Sequence, residues 1–241
     1  MADLWTELRR TTQARIGLGR AGNALPTRAE LEFRVAHAAA RDAVHDPLDV
    51  ERLVADLTTT GFTAPLVVTS AARSRDEYLR RPDLGRRLGI PLQGATEACG
   101  GLVVVVADGL SARAVHAHAV PFLQRFVDGS PVPVTHVVVA TQARVALGDH
   151  VGAALGAAAV LVLIGERPGL SVADSLGAYL TYDPRPGRTD AERNCVSNIH
   201  PPEGLGYERA ARAVHGLLAA AVGAGRSGVA VKDRSDHALP G

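Results

Sequence analysis

Four short aliphatic runs organise the chain from its sixties onward: residues 64–69, 102–107, 135–140 and 158–164, with a weaker fifth at 178–182. Val and Leu occupy successive positions in the second, third and fourth runs, so both faces are apolar. Strands buried on two sides in a parallel sheet have this pattern. Between the runs, residues 111–127 and 145–157 repeat apolar positions at helical spacing, and the Ala-rich stretch 208–222 reads as a closing helix. The alternation predicts an α/β fold, a Rossmann-like three-layer domain with a mostly parallel sheet.

The first sixty residues have a different texture. Leu4, Leu8 and Thr11 recur at helical spacing among Arg9, Arg10 and Arg15, and residues 17–26 form a loop rich in Gly and Asn. Thr27 followed by Glu30 has the form of a capping box, which predicts a helix through Leu31, Val35 and Ala38 towards His45. Pro47 breaks it, and residues 48–58 read as another short helix. The expected organisation is an N-terminal helical appendage over 1–60 that docks a partner, a Rossmann-like domain over 61–225, and a loose tail over 226–241.

Composition narrows the function classes. Among 241 residues, 26 Lys and Arg balance 25 Asp and Glu for a formal charge of +1, which argues against a basic nucleic-acid surface. Aromatics at 4% leave little for stacking on single strands. The two cysteines, Cys99 and Cys195, build neither a disulfide framework nor a four-cysteine zinc site. The charged start has no secretory pattern, and the longest apolar run, 156–165, is too short to cross a bilayer. The expectation is a cytoplasmic protein with no nucleic-acid or membrane partner.

Several segments could carry chemistry. Gly17-Leu18-Gly19-Arg20-Ala21-Gly22 has the G-x-G-x-x-G spacing, but an Arg-rich helical segment precedes it where a nucleotide-binding motif needs a strand, so a turn between helices is the better reading. Asp108-Gly109-Leu110-Ser111 falls at the carboxyl end of the second run, where open α/β sheets bind ligands. Asp108 could accept a hydrogen bond from a ligand there, and Ser111 could equally be only a helix cap. Gly165-Glu166-Arg167-Pro168-Gly169-Leu170 follows the most apolar run and sets a carboxylate at its end. Cys195 and His200 could form a nucleophilic pair only with an oriented base and an oxyanion hole, which nothing nearby predicts. Residues 78–88 are dense in arginine and read as a solvated face or, more sharply, as a dock for an anionic group or a partner subunit.

In combination these segments resemble, in order along nearly the whole chain, the small subunit (light chain) of ethanolamine ammonia-lyases. The resemblance runs through Leu8-Arg9-Arg10-Thr11, Ala14-Arg15, Gly19-Arg20-Ala21-Gly22, Tyr78-Leu79, Arg81-Pro82-Asp83-Leu84-Gly85-Arg86-Arg87-Leu88, Asp108-Gly109-Leu110-Ser111, the Gly165 to Leu170 loop, and Cys195-Val196-Ser197-Asn198-Ile199-His200. It implies a subunit of an adenosylcobalamin-dependent lyase that converts ethanolamine to acetaldehyde and ammonia by a radical route. The implied partner is a TIM-barrel large subunit, which holds the substrate and most catalytic groups within a higher-order hetero-oligomer. The small subunit then covers the cobalamin from the other side. Carried over by position, the implied cofactor contacts are Val145, Glu166 and Cys195; Asp108 and Ser111 are added from their place at the strand end.

The sequence departs from relatives in two ways. Asp149-His150-Val151-Gly152 has nearly the composition of a cobalt-coordinating histidine loop but the wrong spacing, inside a predicted helix. No protein histidine is therefore expected on cobalt, and the cofactor should keep its benzimidazole as lower ligand. Related chains often carry a longer polar N-terminus, which leaves open whether a bacterial microcompartment or the open cytoplasm is the setting.

Overall fold

The computed structural model describes residues 4–62, 64–92 and 98–232. A six-stranded sheet forms the centre, built from β1 (Leu66–Thr69), β2 (Leu102–Ala107), β3 (Val134–Thr141), β4 (Ala159–Gly165), β5 (Leu176–Tyr182) and β6 (Asn194–Ile199), in the order β1-β3-β2-β4-β5-β6. Among the described residues seven α-helices accompany it: α1 (Leu4–Leu8), α2 (Thr27–His45), α3 (Val50–Thr59), α4 (Arg75–Arg80), α5 (Ala112–Val127), α6 (Leu147–Leu155) and α7 (Tyr207–Ala224).

β1, β3, β2 and β4 run parallel. β2 and β4 are buried at every position, as their unbroken Val and Leu runs require. Successive side chains point to opposite faces, so each strand feeds two cores. Val104, Val106, Leu161 and Leu163 meet Val115, Phe122 and Phe126 of α5, Leu218 of α7 and Leu53 and Leu57 of α3. On the other face, Val103, Val105, Val160 and Val162 meet Leu147, Val151 and Leu155 of α6.

Three details refine the expectations from the sequence. First, the sheet turns antiparallel after β4: no helix separates β4 from β5, so the chain folds back, and β6 pairs antiparallel with β5 in turn. The polar segment around Cys195 is this edge strand. Second, the segment expected as a helical appendage over 1–60 contributes to the main core. α3 is amphipathic, and its Leu53 and Leu57 are 1% and 0% exposed in the main core. α2 stands clear, burying only Ala40 and Ala43. Its N-cap position is Pro26, and Glu30 pairs with Arg34, so Thr27 and Glu30 form no capping box. Third, the described part of the tail, 226–232, is tied down. Asn194 Nδ2 donates to the carbonyls of Gly228 and Val231, Gly228 N donates to Asn194 Oδ1, and Ser227 Oγ accepts from Tyr182 N. Residues 233–241 of that tail lie outside the described residues.

Gly17 to Gly22 behaves as a turn. Gly17, Gly19 and Gly22 all have positive φ, and a Cβ on Gly17 would lie 2.5 Å from the Trp5 ring.

Candidate functional site

From β2 the chain crosses to β3 on one side, and from β3 it crosses back to β4 on the other. The carboxyl ends of β2 and β4 therefore flank a topological switch point, where a crevice opens in such sheets. Here the two strand ends are in close contact, through the Gly165 backbone and the Ile164 side chain. A Cβ on Gly109, whose φ is +54°, would lie 2.3 Å from the Gly165 carbonyl oxygen, and Leu110 N donates to that oxygen at 2.9 Å. Above this floor lies a cleft of about 460 Å³. Val145 and Ala146 from the turn before α6 form one wall, and Tyr179 and Cys195 from β5 and β6 form the opposite one, with Glu166 between.

Val145, Glu166 and Cys195 thus line a single cleft, although they lie far apart in sequence. Asp108 and Ser111 do not line it. The Asp108 carboxylate, 3% exposed as a residue, accepts from Gln142 N at 2.8 Å and Ala143 N at 3.0 Å and pairs with Arg75 at 3.1 Å. It clamps the β3–α6 turn to the end of β2 and is buried away from the cleft. Ser111 is buried, caps α5 by accepting from Ala114 N at 3.2 Å, and donates to Ala173 O. Of its two readings, the helix cap is what the structure shows.

Glu166 is held but not exhausted. Its Oε2 accepts from Ser175 Oγ at 2.5 Å and from Asn198 N at 3.2 Å. Oε1 accepts nothing from the described residues. Gly177 makes room for it, because a Cβ there would come within 3.0 Å of Oε1. The Cys195 thiol is pushed up by desolvation in the cleft and then by the Glu166 carboxylate, so it presents neutral sulfur. His200 lies past the end of β6, buried, with its Nε2 bonded to Asn198 Oδ1 at 2.7 Å rather than to Cys195.

Four further cleft residues were not among the expected cofactor contacts. Tyr78 is fully buried, its hydroxyl donates to Ala143 O at 3.0 Å, and burial raises its pKa well beyond the usual phenol range. Arg144 lies over its ring, 4.4 Å from the centroid. Arg86 belongs to the Arg-rich segment read as a solvated face or an anion dock. Arg193 closes the wall behind Cys195 by gripping Asp149 of α6 through two 2.7 Å contacts.

The short turn before Arg193 carries the capping box that Thr27 lacks. Glu192 Oε2 accepts from Thr189 N and Thr189 Oγ1, and Oε1 pairs with Arg188. The Thr189 amide, then Arg188 and the Thr189 hydroxyl, hold its carboxyl down at about 2, against an ordinary 4.5. A depressed carboxyl stabilises the fold above its unfolded pKa, and that contribution disappears as pH falls from 4.5 towards 2. Glu192→Gln should therefore be less stable than the parent at neutral pH by a constant margin that closes across this window. Urea melts at stepped pH check it; a margin independent of pH would show that Glu192 acts only through packing.

Comparison with known proteins agrees with this arrangement. Residues 2–232 match the sequence profile of the ethanolamine ammonia-lyase light chain. The chain is 57% identical over 235 residues to the ethanolamine ammonia-lyase small subunit of Rhodococcus erythropolis, covering 97% of this chain and 91% of that protein. It is 52% identical over 245 residues to the small subunit of Bradyrhizobium diazoefficiens, covering 97% and 92%. With the Ralstonia nicotianae small subunit it shares 52% over 248 residues, covering 98% and 90%. A match of this extent, spanning both the cleft and the helices outside it, means that the chain belongs to the ethanolamine ammonia-lyase light-chain family.

Proposed function

We propose that the chain is the small subunit of an adenosylcobalamin-dependent ethanolamine ammonia-lyase and that its cleft covers one side of the cobalamin. The other side belongs to a TIM-barrel large subunit carrying the substrate pocket and most catalytic groups. The observation that carries this reading is the convergence of Val145, Glu166 and Cys195 on one cleft at the switch point. In this reading the domain is Rossmann-like, with βαβ units arranged around that crevice.

The lining fits a corrin. The ring's rim bears amide side chains, whose N–H groups suit the open Glu166 Oε1. Its edge and methyl groups suit Val145, Ile164, Tyr179 and the neutral Cys195 thiol. The cofactor is larger than the cleft, so this chain encloses only part of it and alone should bind it weakly. When bound, the cofactor supplies the radical chemistry that turns ethanolamine into acetaldehyde and ammonia. This chain's residues orient it and keep water from the covered side. Asp149 and His150 sit within α6, and the Asp149 carboxylate is committed to Arg193, which supports a cofactor that keeps its benzimidazole on cobalt. An EPR spectrum with a protein imidazole nitrogen on cobalt would overturn that part.

The large subunit takes the N-terminal helices. Leu31, Phe33 and Val35 of α2 are 56%, 42% and 70% exposed in the isolated chain, more apolar surface than a solvent-facing helix needs. The assembly is a higher-order hetero-oligomer, in the cytoplasm or inside a bacterial microcompartment.

The test is to co-purify the chain with the large subunit, titrate adenosylcobalamin by its absorption, and follow ethanolamine-dependent acetaldehyde formation. Activity should require both chains and the cofactor. A hydrogen bond to a charged group contributes about 1.5–3 kcal/mol, so Glu166→Gln in the complex should raise the cofactor Kd about tenfold or more. An unchanged Kd would remove Glu166 from the cofactor's surroundings, and a complex that binds no cobalamin would overturn the reading itself.

A further inference from the structure

The cleft carries more positive charge than its structure uses. Arginines outnumber carboxylates in its lining: Arg86, Arg144, Arg167 and Arg193 against Glu166 and Asp190. Arg193 is neutralised by Asp149, and Asp190 lies beside it. Arg86, Arg144 and Arg167 have no ion pair among the described residues, whereas nearby Arg75, Arg81, Arg87 and Arg188 all do.

Arg144 is the informative one. It projects from the turn before α6, where its own N–H is fixed by the Gly85 carbonyl at 2.8 Å. Its stem passes so close to Gly85 that a Cβ there would lie 2.9 Å from Arg144 Cγ and 2.8 Å from Tyr78 Cε2. The guanidinium rests on the buried Tyr78 ring. Its Nε is shielded from water and has no hydrogen-bond partner among the described residues. A buried donor left unmade is costly, and a held guanidinium with an idle N–H edge is built for a planar or tetrahedral oxyanion. Arg86 and Arg167 line the same cleft on exposed segments, free to close on such a group.

We propose that Arg144, with Arg86 and Arg167, forms an anion subsite in the cleft and that its ligand is the phosphodiester of the cobalamin's nucleotide loop. This rests on the cobalamin reading above. The corrin's amide side chains are neutral, so the phosphodiester is the group on the cofactor that three unpaired arginines would select. The subsite divides the work of the cleft: Glu166 and the apolar walls take the corrin, and the arginines take the tail and fix its rotation.

The experiment compares adenosylcobalamin with adenosylcobinamide, which lacks the nucleotide loop and its phosphodiester, on the complex of both subunits. Affinities are read by absorption titration without substrate. Arg144→Met should weaken adenosylcobalamin about tenfold or more and leave adenosylcobinamide unchanged. Arg86→Gln and Arg167→Gln, at exposed positions where folding is not at stake, should each show the same selective loss, severalfold in size. Equal loss for both ligands in all variants, or no loss in any, would overturn the subsite while leaving the cobalamin reading intact. Weakened subunit assembly, with unchanged adenosylcobalamin affinity in the complex that does form, would also overturn it and assign the arginines to carboxylates of the large subunit. If the parent complex takes up neither corrinoid, the cobalamin reading fails, and the subsite with it.

Discussion

Arg193→Met should lower the unfolding free energy by about 3–5 kcal/mol, because it strands a carboxylate in the interior. Arg193 and Asp149 side chains are 3% and 2% exposed and meet through two parallel contacts of 2.7 Å. Nη1 also donates to Thr181 Oγ1 at 2.9 Å and Nη2 to the Arg188 carbonyl at 2.9 Å. Removing the guanidinium deprives four acceptor atoms on three groups of their partner at once. The pair itself need not be a large net gain, since desolvating two charges offsets most of their attraction. The double variant Arg193→Met with Asp149→Leu should therefore recover most of the loss. Denaturant melts of the three variants decide it: a single-variant loss below about 1 kcal/mol would put the pair in the class of solvent-exposed bridges.

Gly165→Ala should cost about 1–3 kcal/mol in stability and weaken the cofactor as well, because its new methyl has nowhere to go. A Cβ at this position would lie 2.0 Å from Ser111 O and 2.6 Å from Asp108 O. Both atoms are backbone, so no rotamer change relieves the clash, and the ends of β2 and β4 must separate. That separation opens the floor of the cleft and moves Glu166, the next residue. Gly223→Ala is the control. It makes the same change within α7, where a Cβ meets nothing within 4 Å, and should be neutral or stabilising by about 0.5–1 kcal/mol. Equal behaviour of the two variants would show that the strand ends have slack.

The parallel half of the sheet was legible because Val and Leu at both faces of β2, β3 and β4 leave few other structures open to those runs. β6 was not. At an edge only some positions need apolar side chains, and Asn194, Ser197 and Asn198 gave the segment the composition of a loop. α4 was hidden likewise: its one buried residue, Tyr78, stands among charges that the helix turns to solvent. Asp108 was placed at the right strand end, and there its carboxylate turns onto amides of its own chain. Sequence cannot tell whether a carboxylate there turns towards a crevice or back onto its own chain's amides. The convergence of Val145, Glu166 and Cys195 came from the resemblance and not from any periodicity. Arg144 left no trace, since its importance lies in lacking a partner, and only a three-dimensional inventory of pairs exposes that.

The hydrogen bonds from residues 226–232 to Asn194 bear on how the molecule behaves in a crowd. β6 is the last strand of the sheet, and an uncovered edge is a template on which another chain can add a strand. The Asn194 side chain, bonded to Gly228 and Val231, seats a stretch of the same polypeptide beside the start of that edge, and Val229 N reaches back to Ala191 O. The edge is thus blunted from within, by a device that forms only after β6 and α7 are both in place. A nascent or nicked chain lacking that stretch would present β6 as an open border, so resistance to edge-to-edge association depends on residues that follow the whole sheet in the chain.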